Sequence, residues 1–81
     1  MSKLDNASMK FHLACVVKLK EKEKEGWEGW DNKKEKQYFE GRIRHDAFSE
    51  LTQKRLIHIS NFCMFLWNII ENKKETKDEQ N

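Results

Sequence analysis

No proline interrupts this chain, and glycine occurs only at positions 26, 29 and 41. A backbone without proline keeps every amide donor, and one with so few glycines has few places to reverse direction cheaply. Helix is therefore the default, and the paired glycines at 26 and 29 mark its one strong break. The 81 residues suffice for one small domain and no more. A domain of that size buries roughly 60–65% of its unfolded surface, so self-association would add stability.

Hydrophobic and charged residues each make up 37% of the chain, and the apolar ones are clustered. That pattern predicts a folded centre with solvated ends rather than a disordered chain. Sixteen Lys and Arg against fourteen Asp and Glu leave a formal charge of +2, too even to point to nucleic acid. The charges alternate in sign, as in "KLKEKEKE", which reads as a solvated helix face. Cys15 and Cys63 lie among apolar residues without the C-x-x-C spacing of a zinc or redox site, and are expected to be buried thiols. The N-terminal stretch makes a poor signal peptide, because acidic and polar residues precede its short apolar run. The run Phe62–Ile70 falls far short of the roughly 20 residues that span a bilayer. A soluble, cytoplasmic protein is expected.

A first helix is expected over about 8–25, capped near "DNAS" by Asp5, Asn6 or Ser8 and stopped at Gly26. Phe11, Leu13, Cys15, Val17 and Leu19 also fit a strand, but a lone strand would have no ladder partner. A loop over 26–33, "GWEGWDNK", follows. Its Trp27 and Trp30 either fold back as a lid on the core or line a ligand site. A second helix is expected over about 34–52, with an apolar row of Phe39, Ile43, Ala47 and Leu51. The third, over about 55–72, is apolar nearly all round from 62 to 70 and should be central. A charged, disordered tail is expected over 73–81.

The polar residues of the third helix do not scatter. Lys54, His58, Asn61, Asn68 and Asn72 project onto one stripe, which needs polar partners if buried. On the second helix Asp46 and Glu50 are four apart and lean toward the apolar side. Carboxylates so paired repel unless a cation lies between them, so they either hold Mg²⁺ or form salt bridges with Arg42, His58 or another base. His12 and His45 stand alone, and "GRIRH" offers Arg42 and Arg44 for gripping phosphate. No glycine-rich phosphate loop or nucleophile elbow is present.

The segments "EKEKEGWEGW" and "ISNFCMFLWN", separated by a helix bearing a His near its middle, resemble MazG-like all-α nucleoside triphosphate pyrophosphohydrolases of phages and bacteria. The likeness covers about 21–68 and is most specific from Asn61 to Trp67. It implies a helical bundle that pairs with other copies, and a site between the second and third helices where carboxylate pairs hold Mg²⁺. Such sites release pyrophosphate from nucleoside triphosphates. The match is incomplete: Arg55 and His58 stand where the family carries E-x-x-D, and the second-helix pair is reduced to Asp46 and Glu50, with Glu40 upstream. An Arg and a His there would repel Mg²⁺ yet attract phosphate.

The expected protein is all-α, a three-helix domain that associates into a bundle oligomer. Its expected role is to bind a nucleotide or other phosphorylated small molecule between the second and third helices, with weakened or absent hydrolysis. Asp46 and Glu50 would be the catalytic and Mg²⁺-holding pair, Arg55, His58 and Asn61 would contact phosphate, and Trp27 or Trp30 would stack on a base. The alternatives are an active pyrophosphohydrolase and a non-enzymatic module that binds a host protein. Neither a membrane nor nucleic acid is an expected partner.

Overall fold

The computed structural model describes residues 2–80, with side chains described through Asn72. It is all-α: helix α1 spans Lys3–Lys24, α2 spans Lys36–Phe48 after a 3₁₀ turn at Lys33–Glu35, and α3 spans Gln53–Gln80. No strand occurs among the described residues, so the period-two pattern from Phe11 to Leu19 belongs to a helix. No helix among them is long and apolar enough to cross a membrane. The tail expected over 73–81 lies outside the residues described in full.

Helix α1 starts earlier than the expected residue 8 because Ser2 caps it. The Ser2 hydroxyl accepts from the Asp5 amide at 3.0 Å while the Asp5 carboxylate accepts from the Ser2 amide, a reciprocal capping box. Its end is as expected. The Gly26 amide donates to the Glu23 carbonyl at 3.0 Å and the Trp27 amide to the Lys22 carbonyl at 3.1 Å. This Schellman pattern needs a left-handed residue, and Gly26 supplies it at φ +83°. Along α1, Lys18–Glu21 and Lys20–Glu23 pair at 3.2 and 3.6 Å.

Helix α2 is shorter than the expected 34–52. Asn32 caps the 3₁₀ turn, its side-chain oxygen accepting from the Lys34 amide at 3.0 Å. At the other end Ser49 adopts an extended conformation, and its hydroxyl donates to the His45 carbonyl at 3.0 Å. A short hydroxyl side chain thus competes for a terminal carbonyl and helps stop the helix without glycine or proline. Thr52 then begins α3, its hydroxyl accepting from the Arg55 amide at 3.1 Å. The apolar row of α2 is correspondingly truncated: Phe39 is buried and Ile43 packs on the core, but Ala47 and Leu51 are exposed.

The core is aromatic. Phe39 of α2 and Phe62, Phe65 and Ile69 of α3 are buried together, with Phe39 in ring contact with Phe65 at 5.2 Å and Phe62 at 5.6 Å. Both loop tryptophans close over them, Trp27 at 5.4 Å and Trp30 at 5.1 Å from the Phe65 ring. Helix α3 packs on both α1 and α2. Cys15 is buried, whereas Cys63 is exposed: it lies on the face of α3 that no neighbour covers. An apolar sequence neighbourhood does not fix which way a helical side chain points.

Candidate functional site

Once the helices pack, Asn61 and Asn68 of the polar stripe of α3 find backbone partners. Asn61 is buried, and its side-chain amide donates to the Cys15 carbonyl of α1 at 3.3 Å. Asn68 turns back on its own helix and donates to the Met64 carbonyl at 2.9 Å. Half-buried His58 stacks on Phe62, with ring centroids 6.4 Å apart. No buried side-chain nitrogen or oxygen among the described residues lacks a partner.

Asp46 and Glu50 are not the neighbours expected of a continuous helix, because α2 ends at Phe48. Asp46 is only 4% exposed and lies 3.9 Å from the Arg42 guanidinium and 3.3 Å from His45 Nδ1. Glu50 is exposed in the following turn, where its backbone carbonyl accepts from the Thr52 amide and the Arg55 guanidinium. Arg55 therefore clips the α2–α3 connection. Among the described residues, no group of three His, Cys, Asp or Glu side chains converges to hold a metal ion. Asp46 pairs with its neighbouring cations, while Glu50 lies in the turn beyond the helix.

What does converge is positive charge. A cleft of about 180 Å³ opens between the three helices, lined by Lys18 and Lys22 of α1, Tyr38 and Arg42 of α2, Asn61 of α3, and Trp27. Phe62 and Phe65 form its floor with Leu19. Lys22 lies over the Trp27 ring at 5.6 Å and Arg42 over the Phe62 ring at 5.2 Å, so aromatic faces hold both cations in place. The carboxylate partners on α1 lie further out: Lys18 and Lys22 are 31% and 35% exposed, whereas Glu21 and Glu25 are 57% and 64% exposed. Burial, then Lys18, Lys22 and Lys54, hold the His58 imidazole below its ordinary value, and Asp46 opposes them without prevailing.

Of the residues proposed from the sequence, Trp27 and Asn61 border this cleft, while Trp30 lines a neighbouring depression with Lys20, Lys22 and Glu23. Asp46, Glu50, Arg55 and His58 do not line it. Lys18, Lys22 and Tyr38 were missed. The two lysines belong to a charge run that reads as a solvated face, yet their four-residue spacing puts both on the side of α1 that carries Cys15 and Leu19. In comparisons with known proteins, no family model, no curated protein and no solved structure matches this chain.

Proposed function

We propose that this protein binds a phosphorylated small molecule, a nucleotide in keeping with its MazG-like features, and that it does so without relying on a metal. The observation that carries this reading is the convergence of Lys18, Lys22 and Arg42 on one cleft beside Trp27 and Tyr38. Three cations on a low-dielectric aromatic floor favour a compact anion, and arginine adds directed donors for phosphate oxygens. At about 180 Å³ the cleft is smaller than the roughly 300 Å³ at which whole-ligand pockets begin. It would take the phosphate and leave the remainder of the ligand over the half-exposed Tyr38 ring.

The test is isothermal titration with a nucleoside triphosphate panel, with Mg²⁺ and then with chelator, while released pyrophosphate is scored. Binding that survives chelation, and is lost in Lys22→Glu/Arg42→Glu, supports the reading. Pyrophosphate release only with Mg²⁺ replaces it with an active pyrophosphohydrolase. A second reading, a helical module that docks on protein, is favoured by the exposure of Trp67, Ile70, Leu13 and Val17. It predicts no heat from any nucleotide.

A further inference from the structure

The loop run "GWEGWDN" delivers more than a lid. Gly29 holds φ at +75°, a conformation that a Cβ disfavours, and so lets the chain reverse between Trp27 and Trp30. Both rings return to the core, while Glu28 between them stays exposed. The result is a depression of about 210 Å³, walled by Trp27, Trp30 and Tyr38, floored by buried Phe39, and lined also by Glu28 and Glu35. Its walls are braced before any ligand arrives. Trp30 packs on Phe65 at 5.1 Å, and Trp27 and Tyr38 pack on Phe39 at 6.4 and 5.5 Å.

The charge here is opposite to that of the cationic cleft. No Lys, Arg or His lines the depression. Glu21, Glu23, Glu25 and Glu40 all have ion-pair partners, whereas Glu28 and Glu35 have none among the described residues. Aromatic faces and carboxylates both attract cations, and the combination selects among them. A metal ion needs several oxygen donors, and no group of three His, Cys, Asp or Glu converges among the described residues. A bare ammonium needs acceptors for all three of its N–H groups. A methylated ammonium spreads its charge over an apolar surface, which π faces satisfy while nearby carboxylates supply the countercharge.

We propose that this depression binds the methylated ammonium group of a small molecule such as choline. At about 210 Å³ it admits a headgroup rather than a whole ligand. Trp27 and Tyr38 also line the cleft of Lys18, Lys22 and Arg42, so two sites of opposite charge adjoin along one aromatic wall. A ligand that carries a phosphate close to its methylated ammonium fills both. That joint occupancy rests on the phosphate reading; the cation site does not.

The experiment titrates choline into the wild-type chain while the indole N–H resonances of Trp27 and Trp30 are followed. The control is the neutral alcohol in which a tert-butyl group replaces the trimethylammonium. Choline should saturate both resonances at millimolar concentration, and the neutral isostere should bind on the order of tenfold more weakly. Equal affinity for the two, or no saturation by choline, overturns the proposal without recourse to any variant. Glu28→Gln/Glu35→Gln should weaken choline binding about fivefold, with the helical circular dichroism unchanged. Undiminished binding in that variant would remove the carboxylates from the site and overturn it.

Inorganic phosphate keeps the two readings apart. A chain that binds phosphate and ignores choline retains its cleft and ends this proposal. Choline binding that persists in Lys22→Glu/Arg42→Glu, which should no longer take phosphate, supports the cation site on its own. Phosphocholine should bind at least about tenfold more tightly than choline, and no gain would overturn joint occupancy. Cosedimentation with phosphatidylcholine vesicles would overturn the small-molecule assignment in favour of a lipid headgroup.

Discussion

The two faces of helix α3 are made of the same kinds of residue and have opposite fates. One presents Asn61, Phe62, Phe65 and Ile69, which α1, α2 and the Trp27–Trp30 loop cover; the other presents Leu56, Cys63, Trp67 and Ile70, which remain in solvent. Apolar content alone does not decide burial. What decides it is how many neighbours a short chain can bring to its central helix. Two helices and one loop close one side of α3 and leave the other. The buried face even accommodates an amide, because a backbone carbonyl of α1 lies opposite to receive it.

The largest test of this contrast sets one aromatic residue against another. Phe39 is 1% exposed and touches Phe62, Phe65 and Trp27, so Phe39→Ala should cost about 3–5 kcal/mol. Trp67→Gln, on the open face, should change monomer stability by less than about 0.5 kcal/mol. Urea unfolding of dilute protein measures both. Equal losses would erase the distinction between the faces.

The next contrast lies within the polar stripe. Asn61→Ala removes the buried amide that ties α3 to α1 and should cost about 1–3 kcal/mol. Asn68→Ala removes a bond that the helix makes to itself at a half-buried site, and should cost less than about 1 kcal/mol. If the order were reversed in the same unfolding experiment, the Asn61–Cys15 bond would not be what anchors α1. A smaller effect is expected at the turn that delivers the tryptophan lid. Gly26→Ala meets no steric obstacle, but φ of +83° disfavours a Cβ by about 1 kcal/mol. Its melting temperature should fall without any change in the helical spectrum of the folded state.

Much of the fold was legible because its signals are local. The Gly26 stop and the centrality of α3 follow from residue types and apolar spacing, and a lid on the core was one of the two places open to the tryptophans. The end of α2 was not legible. "AFSELTQK" contains neither glycine nor proline, and the Ser49 hydroxyl bond to His45 becomes visible only in three dimensions. Placing Glu50 beside Asp46 depended on that missed boundary. The partner of Asn61 was equally hidden, since a backbone carbonyl leaves no trace in residue type. Lys18 and Lys22 were discounted because exposed alternating charge is usually solvated; only the packing of α2 against α3 brings Arg42 and Tyr38 to them.

The smallest expected effect belongs to His58, which stacks on Phe62, a residue of the cleft's lining. Burial and the ammonium groups of Lys18, Lys22 and Lys54 lower its pKa from 6.5, against the opposing charge of Asp46. The folded protein thus takes up this proton less readily than the unfolded chain. The contribution is fully present above 6.5 and declines as pH falls from there through the folded-state pKa, after which it levels off. His58→Gln should flatten stability across that interval, as measured by thermal unfolding at a series of pH values. Inorganic phosphate supplies the sharper version. An anion seated among Lys18, Lys22 and Arg42 offsets the field that those lysines impose, so the His58 resonance should titrate at higher pH when phosphate is added. The same addition should leave the pKa unchanged in Lys22→Glu/Arg42→Glu. An upward shift equally large in that double variant would trace the effect to general screening by salt, and the cleft would lose its claim to phosphate.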